Sequence, residues 1–152
     1  MTPKLYIFDY MIFNPYLNFN GKAEAAFQFY QSVLGGELSF FYFKDMMPDT
    51  KLAEGEENYV MHVSLPIGDG KQTLMGSDCL SNQGTELVFG NNNYISIRTS
   101  SREETERLFK GLSKGGKVEV ELQDMFWGDY FGSFVDQFGT SWMLMFPNEQ
   151  AG

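Results

Sequence analysis

Pro15-Tyr-Leu-Asn-Phe-Asn-Gly-Lys-Ala-Glu-Ala-Ala-Phe-Gln-Phe-Tyr-Gln-Ser-Val-Leu-Gly-Gly36 is the stretch on which the fold turns. Tyr16–Asn20 reads as a strand, Asn20 is placed to cap a helix, and Ala23, Ala26, Phe27, Tyr30, Val33 and Leu34 then recur at helical spacing. Gly35-Gly36 stops the helix, because glycine takes the left-handed conformation that a helix C-terminus commonly needs. One strand and one amphipathic helix are thus predicted in twenty-odd residues.

The residues downstream extend this pair into a larger unit. Glu37–Phe43 is predicted as a strand whose aromatic run, Phe40 to Phe43, implies burial on both faces, and the acidic, proline-containing stretch Asp45–Asn58 as a loop. Tyr59–Leu65 alternates, with Tyr59, Met61, Val63 and Leu65 on one face and Val60, His62 and Ser64 on the other. Gly68-Asp69-Gly70 turns it into a short strand, Gln72–Gly76.

After a polar loop, Ser81–Asn93, the same order begins again. Tyr94–Arg98 is a strand, Ser100 with Glu103 forms a capping box, and Thr105, Leu108, Phe109 and Leu112 make a helical stripe that Gly115-Gly116 closes. Val118, Val120 and Leu122 alternate with Glu119 and Glu121, and a last hairpin runs from Tyr130–Val135 through Phe138-Gly139 to Trp142–Phe146. Tyr16-Leu17-Asn18-Phe19 meets Tyr94-Ile95-Ser96-Ile97, the Gly-Gly stops coincide, and Gly70-Lys-Gln-Thr-Leu-Met75 meets Gly139-Thr-Ser-Trp-Met-Leu144. The chain is an internal duplication of a βαβββ unit. A lone unit would expose one sheet face, so the expected α+β architecture pairs two units, about 3–82 and about 83–150, in a single domain over 1–152. Eight mostly antiparallel strands then curl around a shared cleft where a ligand would sit, and pairing within one chain is the simpler expectation than a swap across a dimer.

A chain of 152 residues, 43% hydrophobic and 16% aromatic, has material for a core without metal or disulfide staples. The single cysteine, Cys79, excludes a disulfide framework and a cysteine-rich zinc site and suits a reducing, cytoplasmic compartment. It follows Asp78 with no basic neighbour in sequence to activate it, which predicts an inert thiol. Met1–Tyr10 carries Lys4 and Asp9 and lacks the uninterrupted apolar stretch of a leader segment. A net charge of −9 repels phosphate backbones and anionic lipid, which argues against nucleic acid and membrane partners. No phosphate loop, dinucleotide fingerprint, S-adenosylmethionine motif or nucleophile elbow is present, so no cofactor is expected.

Pro15 through Tyr30, His62-Val-Ser-Leu-Pro-Ile-Gly68, Leu74-Met-Gly-Ser-Asp78, Gln123-Asp-Met-Phe-Trp-Gly-Asp129 and Val135-Asp-Gln-Phe-Gly139 together resemble the PhnB-like proteins of the glyoxalase/bleomycin resistance/dioxygenase (vicinal oxygen chelate) superfamily. The resemblance covers nearly the whole chain, and Asp124-Met-Phe-Trp-Gly-Asp129 is its most specific element; where many relatives carry His after the final Phe-Gly, this chain has Thr140. It implies a small-molecule ligand and a homodimer. In metal-dependent members a divalent ion is held by His or Gln near the first strand of each unit and Glu on the last. By register those positions fall at Pro15, at Asn93 or Tyr94, and at Met75 and Met143, none of them a normal ligand, so no metal is expected. Met75 and Met143 instead line the cleft as polarisable apolar side chains.

His62, the single histidine, is a candidate general base or a structural strand residue, and Asp124 is the other candidate base. Trp127, Asp129, Tyr130 and Trp142 join Met75 and Met143 as candidate ligand contacts, with Phe131 and Phe41 as possible aromatic walls. For Trp127 the competing reading is a clasp between the units. Two functions remain open on the sequence: a metal-free binding protein for an aromatic or cationic small molecule, and a metal-dependent lyase, isomerase or dioxygenase of vicinal oxygen chelate type.

Overall fold

The computed structural model describes residues 11–84 and 86–148; the reading of Met1–Tyr10 lies outside them. The first unit runs β1 (Tyr16–Phe19), α1 (Ala23–Leu34), β2 (Ser39–Tyr42), the short α2 (Phe43–Met46), β3 (Val60–Ile67) and β4 (Gln72–Asp78). The second runs β5 (Ile95–Arg98), α3 (Arg102–Leu112), β6 (Lys117–Asp124), β7 (Asp129–Val135) and β8 (Ser141–Pro147). The strands form two four-stranded sheets of identical order, β1-β4-β3-β2 and β5-β8-β7-β6. Only β1 with β4 and β5 with β8 run parallel, so the predicted α+β fold with tandem βαβββ units is present.

The two sheets repeat each other in detail. Leu17 and Phe19 turn toward the core in β1 and Ile95 and Ile97 do so in β5. Each helix covers one face of its own sheet, with Ala23, Ala26, Phe27 and Tyr30 buried from α1 and Thr105, Leu108, Phe109 and Leu112 from α3, the stripes expected from their spacing. The glycines that stop the helices have a second use. A Cβ on Gly36 would lie 2.5 Å from the Pro66 carbonyl oxygen and one on Gly116 2.1 Å from that of Val135, so the chain leaving each helix can press against its sheet only without a side chain.

Four local readings are corrected. Asn20 does not cap α1; its side chain accepts from the Tyr59 hydroxyl (3.2 Å), and the helix entry is held by Asp78, which accepts from the backbone N–H groups of Gly21 (2.8 Å), Ala23 (3.0 Å) and Val60 (2.9 Å). The capping box of α3 is displaced by one residue. Ser101 accepts from the Glu104 N–H (3.1 Å), and the Glu104 carboxylate returns to the Ser100 N–H (2.8 Å) and hydroxyl (2.7 Å). In β3, Val60 is buried with Val63 and Leu65 rather than lying on the His62 face, because a register shift opposite Phe41 and Tyr42 leaves Met61 as the extra residue of a bulge. β2 is buried on one face, with Phe40 and Tyr42 on the core and Phe41 44% exposed, and Phe43–Met46 turns into a short helix.

The units meet through α1 and α3 and through the turn between β7 and β8. Gly111 of α3 approaches Val33 of α1, where a Cβ would stand 2.9 Å from a valine methyl, and Arg107 donates to the Val33 carbonyl (3.0 Å). Tyr30 reaches from α1 into the second unit, its hydroxyl donating to Asp136 (2.7 Å) and lying 3.0 Å from the Thr140 hydroxyl. Burial and the Asp136 charge push that phenol far above its ordinary pKa. Phe29, Phe138 and Trp142 surround it at ring-centroid distances of 5.5–6.3 Å.

Candidate functional site

Each sheet uses one face for its helix and leaves the other free of helix, and strand parity decides which side chains line the free faces. In the first sheet Leu74 and Gly76 turn inward, which puts Met75 and Ser77 on the helix-free face. Cross-strand register then sets two rows there: Tyr16, Met75 and Ser64 in one, Asn18, Ser77 and the neighbourhood of His62 and Phe41 in the next. In the second sheet the corresponding rows are Ser96, Met143 and Ser133, then Arg98, Met145 and Phe131. Met75 and Met143 therefore hold matching positions. The repeat pairs Met75 with Met143 rather than with Leu144, the return strand of the second hairpin being one residue shorter after its glycine.

Parity also divides the candidate residues. Consecutive strand residues face opposite ways, so Met143 and Asp129 belong to the helix-free side while Trp142 and Tyr130 turn toward the helices. Trp142 is 1% exposed and its indole donates to Asp136 (2.8 Å). Tyr130 is buried, donates to Glu106 (3.1 Å) and carries the Arg102 guanidinium 3.9 Å over its ring; burial and then Glu106 raise its pKa.

On the first sheet the His62 ring is sandwiched. The Tyr16 hydroxyl hydrogen-bonds Nδ1 at 3.1 Å, with the two ring centroids 5.7 Å apart, and Phe41 stacks at 6.5 Å. Tyr94, which the sequence repeat aligns with Tyr16, lies two residues before Ser96, the residue that holds the place of Tyr16 beside Met143. It reaches across its own sheet to Glu119 (2.8 Å), and that bond raises the Tyr94 pKa. A tyrosine from each unit thus reaches across its own sheet, one ending on an imidazole and the other on a carboxylate. The two tyrosines were visible in the sequence; their partners were not, since Glu119 is the extra residue of a bulge in β6.

The Asp124–Asp129 string forms the tip of the β6–β7 hairpin, closed by the Met125 N–H on the Asp129 carbonyl (2.8 Å). Asp124 faces away from the aromatic tip. It is bridged by both Arg102 nitrogens (2.7 and 3.3 Å) and by Asn148 (2.6 Å), and the hydrogen bonds from Arg102 first and Asn148 second hold its carboxyl below the usual range. Trp127 is 50% exposed, packs edge-on against Phe131 at 6.0 Å and donates its indole N–H to Asp129 (3.1 Å). Phe126 is 97% exposed. A separate cavity of about 490 Å³ opens where the chain leaves β4, lined in part by Asn20, Cys79, Leu80 and Phe89, and shares no residue with the candidate set. Burial, with Asp78 beside it, raises the Cys79 thiol pKa.

The residues at the implied metal positions do not fit a divalent ion. The Met75 N–H bonds the Pro15 carbonyl at 3.1 Å, so the expected neighbours are adjacent, yet they offer a thioether and a tertiary amide where imidazole and carboxylate would be needed. Met143 lies beside Ser96. Among the described residues no group of three His, Cys, Asp or Glu side chains converges as a ligand set.

Known proteins share this architecture and much of the sequence that builds it. A model of the Glyoxalase/Bleomycin resistance protein/Dioxygenase superfamily matches residues 12–144. Protein YjdN of Escherichia coli (strain K12) is 29% identical over 147 residues, 92% of this chain and 98% of that protein. The crystal structure of protein PA1353 from Pseudomonas aeruginosa superposes with a TM-score of 0.77 at 33% identity, covering 92% of this chain and 100% of that one. The PhnB protein from Bacillus cereus, described as a candidate 3-demethylubiquinone-9 3-methyltransferase, shares the fold with a TM-score of 0.67 at 23% identity over 90% of this chain and 99% of that one. Similar to YjdN in sequence and to PhnB in fold, and matched by the family model along most of its length, the chain belongs to the glyoxalase/bleomycin resistance/dioxygenase superfamily.

Proposed function

We propose that this protein binds a small molecule against the helix-free faces of its two sheets without using a metal, in a site completed by a homodimer in the cytoplasm. The observation that carries this reading is the matched pair Met75 and Met143, which puts polarisable apolar side chains at the two places where a metal-binding relative would direct carboxylates. The surroundings suit an unsaturated ligand: Tyr16, His62 and Phe41 on one sheet, Trp127 and Phe131 on the other. Asp124, ion-paired and held ionised, is poorly suited to accept a proton at neutral pH, which leaves His62 as the better placed of the two candidate bases. Exposed Phe126, Trp127, Tyr16 and Phe41 on faces that also carry polar groups are what a second copy would cover.

The test is the melting temperature of metal-free protein with and without excess zinc, nickel, manganese or ferrous ion. A ligand at 100 times its dissociation constant stabilises a native state by ~2.7 kcal/mol. No upward shift is expected with any ion. A saturable rise would reinstate the metal-dependent lyase, isomerase or dioxygenase reading and show that donors outside the matched methionine positions assemble on binding.

A further inference from the structure

We propose that Arg98 is the anchor for the anionic end of the ligand and that Trp127 and Phe131 clamp its planar part, which makes the ligand class a planar aromatic carboxylate. The assignment rests on the small-molecule reading above and adds a charge and an orientation to it. Ile95 and Ile97 pack into the core, so Arg98, next in the strand, points to the helix-free face, where it is exposed. Among the described residues its guanidinium makes no hydrogen bond, ion pair or aromatic stack, whereas Arg102 is saturated by Asp124, Asn148 and Tyr130. The matching residue of the first unit, Asn18, is neutral and already engaged by the Ser77 hydroxyl (3.3 Å). In the row that carries Phe131 the duplication therefore puts a cation that is without a partner among the described residues, where the first unit has a neutral side chain.

Position selects the ligand. Arg98 pairs in register with Met145, and Met145 with Phe131, against whose ring Trp127 stands. Two interstrand spacings of ~4.8 Å put Arg98 and Phe131 roughly 10 Å apart along this row, with the Met145 thioether as the floor between them. One aromatic ring and its carboxylate span that gap once the guanidinium extends to meet the acid. The planar fork of arginine suits a carboxylate, which it can bind through two parallel hydrogen bonds. Polarity along the face fixes the direction: the opposite end presents Glu119, already bonded by Tyr94, and repels an acid. Asp129, the carboxylate nearest the clamp, is taken up by the Trp127 indole N–H, so it orients the ring.

Benzoate, benzamide and benzamidine share one shape and carry negative, zero and positive charge, so they separate the alternatives. Each is titrated into the full-length protein while amide and indole shifts are followed by NMR. The expected result is that benzoate binds more tightly than the other two and shifts Ser96, Arg98, Phe131 and the Trp127 indole. Arg98→Ala then weakens benzoate by roughly tenfold, the size of a lost hydrogen bond to a charged group, while benzamide binds as before and Arg98→Lys restores part of the loss. The amide spectra of both variants serve as the folding check. Benzamidine binding most tightly, or benzoate affinity unchanged in Arg98→Ala, overturns the assignment while leaving a metal-free binding site in place. Failure of all three probes to shift this face also overturns it, and the parent reading is then judged separately by the metal-ion melting series.

Discussion

Asp136 gathers four donors on its two oxygens: the Tyr30 hydroxyl and the Trp142 indole on one, the N–H groups of Phe138 (2.8 Å) and Thr140 (3.0 Å) on the other. It is 4% exposed, and with every oxygen satisfied it joins the helix of one unit to the last hairpin of the other. Removing the carboxylate strands donors that have lost their water. Asp136→Ala is therefore expected to lower unfolding stability by about 3 kcal/mol or more, read as a shift of the urea midpoint. The link between the units was not visible along the chain, since Tyr30 and Asp136 lie 106 positions apart. What could be read there was chemistry with a local cause: the missing metal ligands, the paired methionines and the aromatic tip at Trp127. Arg98 escaped notice because an arginine at a strand end is remarked only once its neighbours across the sheet are known.

At the scale of elements, the legible features were those with a short period. The stripes of α1 and α3, the Gly-Gly stops and the alternation in β6 all follow from the spacing of apolar residues. Features set by a distant partner were not legible. Asp78 caps the entry of α1 from another strand, and the bulge at Met61 moves Val60 into the core by breaking the alternation that parity assumes. The capping box of α3 reads one residue early because two consecutive Ser-x-x-Glu patterns, from Ser100 and from Ser101, overlap. Geometry distinguishes them: Ser101→Ala should cost about 1 kcal/mol in urea unfolding while Glu103→Ala costs little. The hairpin that presents Trp127 is tied to the same helix through Arg102 and Asp124. The folded-state pKa of Asp124 is depressed, so its stabilisation is present above the unfolded value near ~3.9 and is lost as pH falls through the lower folded value. Asp124→Asn should melt below the parent protein at neutral pH, with the gap closing beneath about pH 4.

For the whole molecule, the duplication dictates more than the fold. Pairing the units through their helices buries one face of each sheet and leaves two faces of matching layout, which differ where chemistry would need them to differ: His62 against Phe131, Asn18 against Arg98. Among the described residues no helix is long and apolar enough to cross a membrane. On the proposed reading a second copy covers the exposed aromatic side chains of the free faces, so sedimentation at micromolar concentration should give twice the chain mass of 17.4 kDa. A monomer would leave each face to act alone and would remove the dimer from the proposed site. The tandem architecture was legible because a repeat is a pattern within one sequence; how the repeats join was not, because Tyr30, Asp136 and Trp142 resemble any other buried polar and aromatic residues until they meet.

The Tyr30 to Asp136 bond also has a meaning for biosynthesis. The tyrosine leaves the ribosome with the first half of the chain, and its partner emerges 106 residues later. At a synthesis rate of roughly 5–20 residues per second, the hydroxyl and the aromatic cluster around it wait on the order of ten seconds for the surface that satisfies them. The first repeat is thus born as an unfinished half, and the nascent chain relies on its last hairpin, and on whatever shelters it until then, to become a protein.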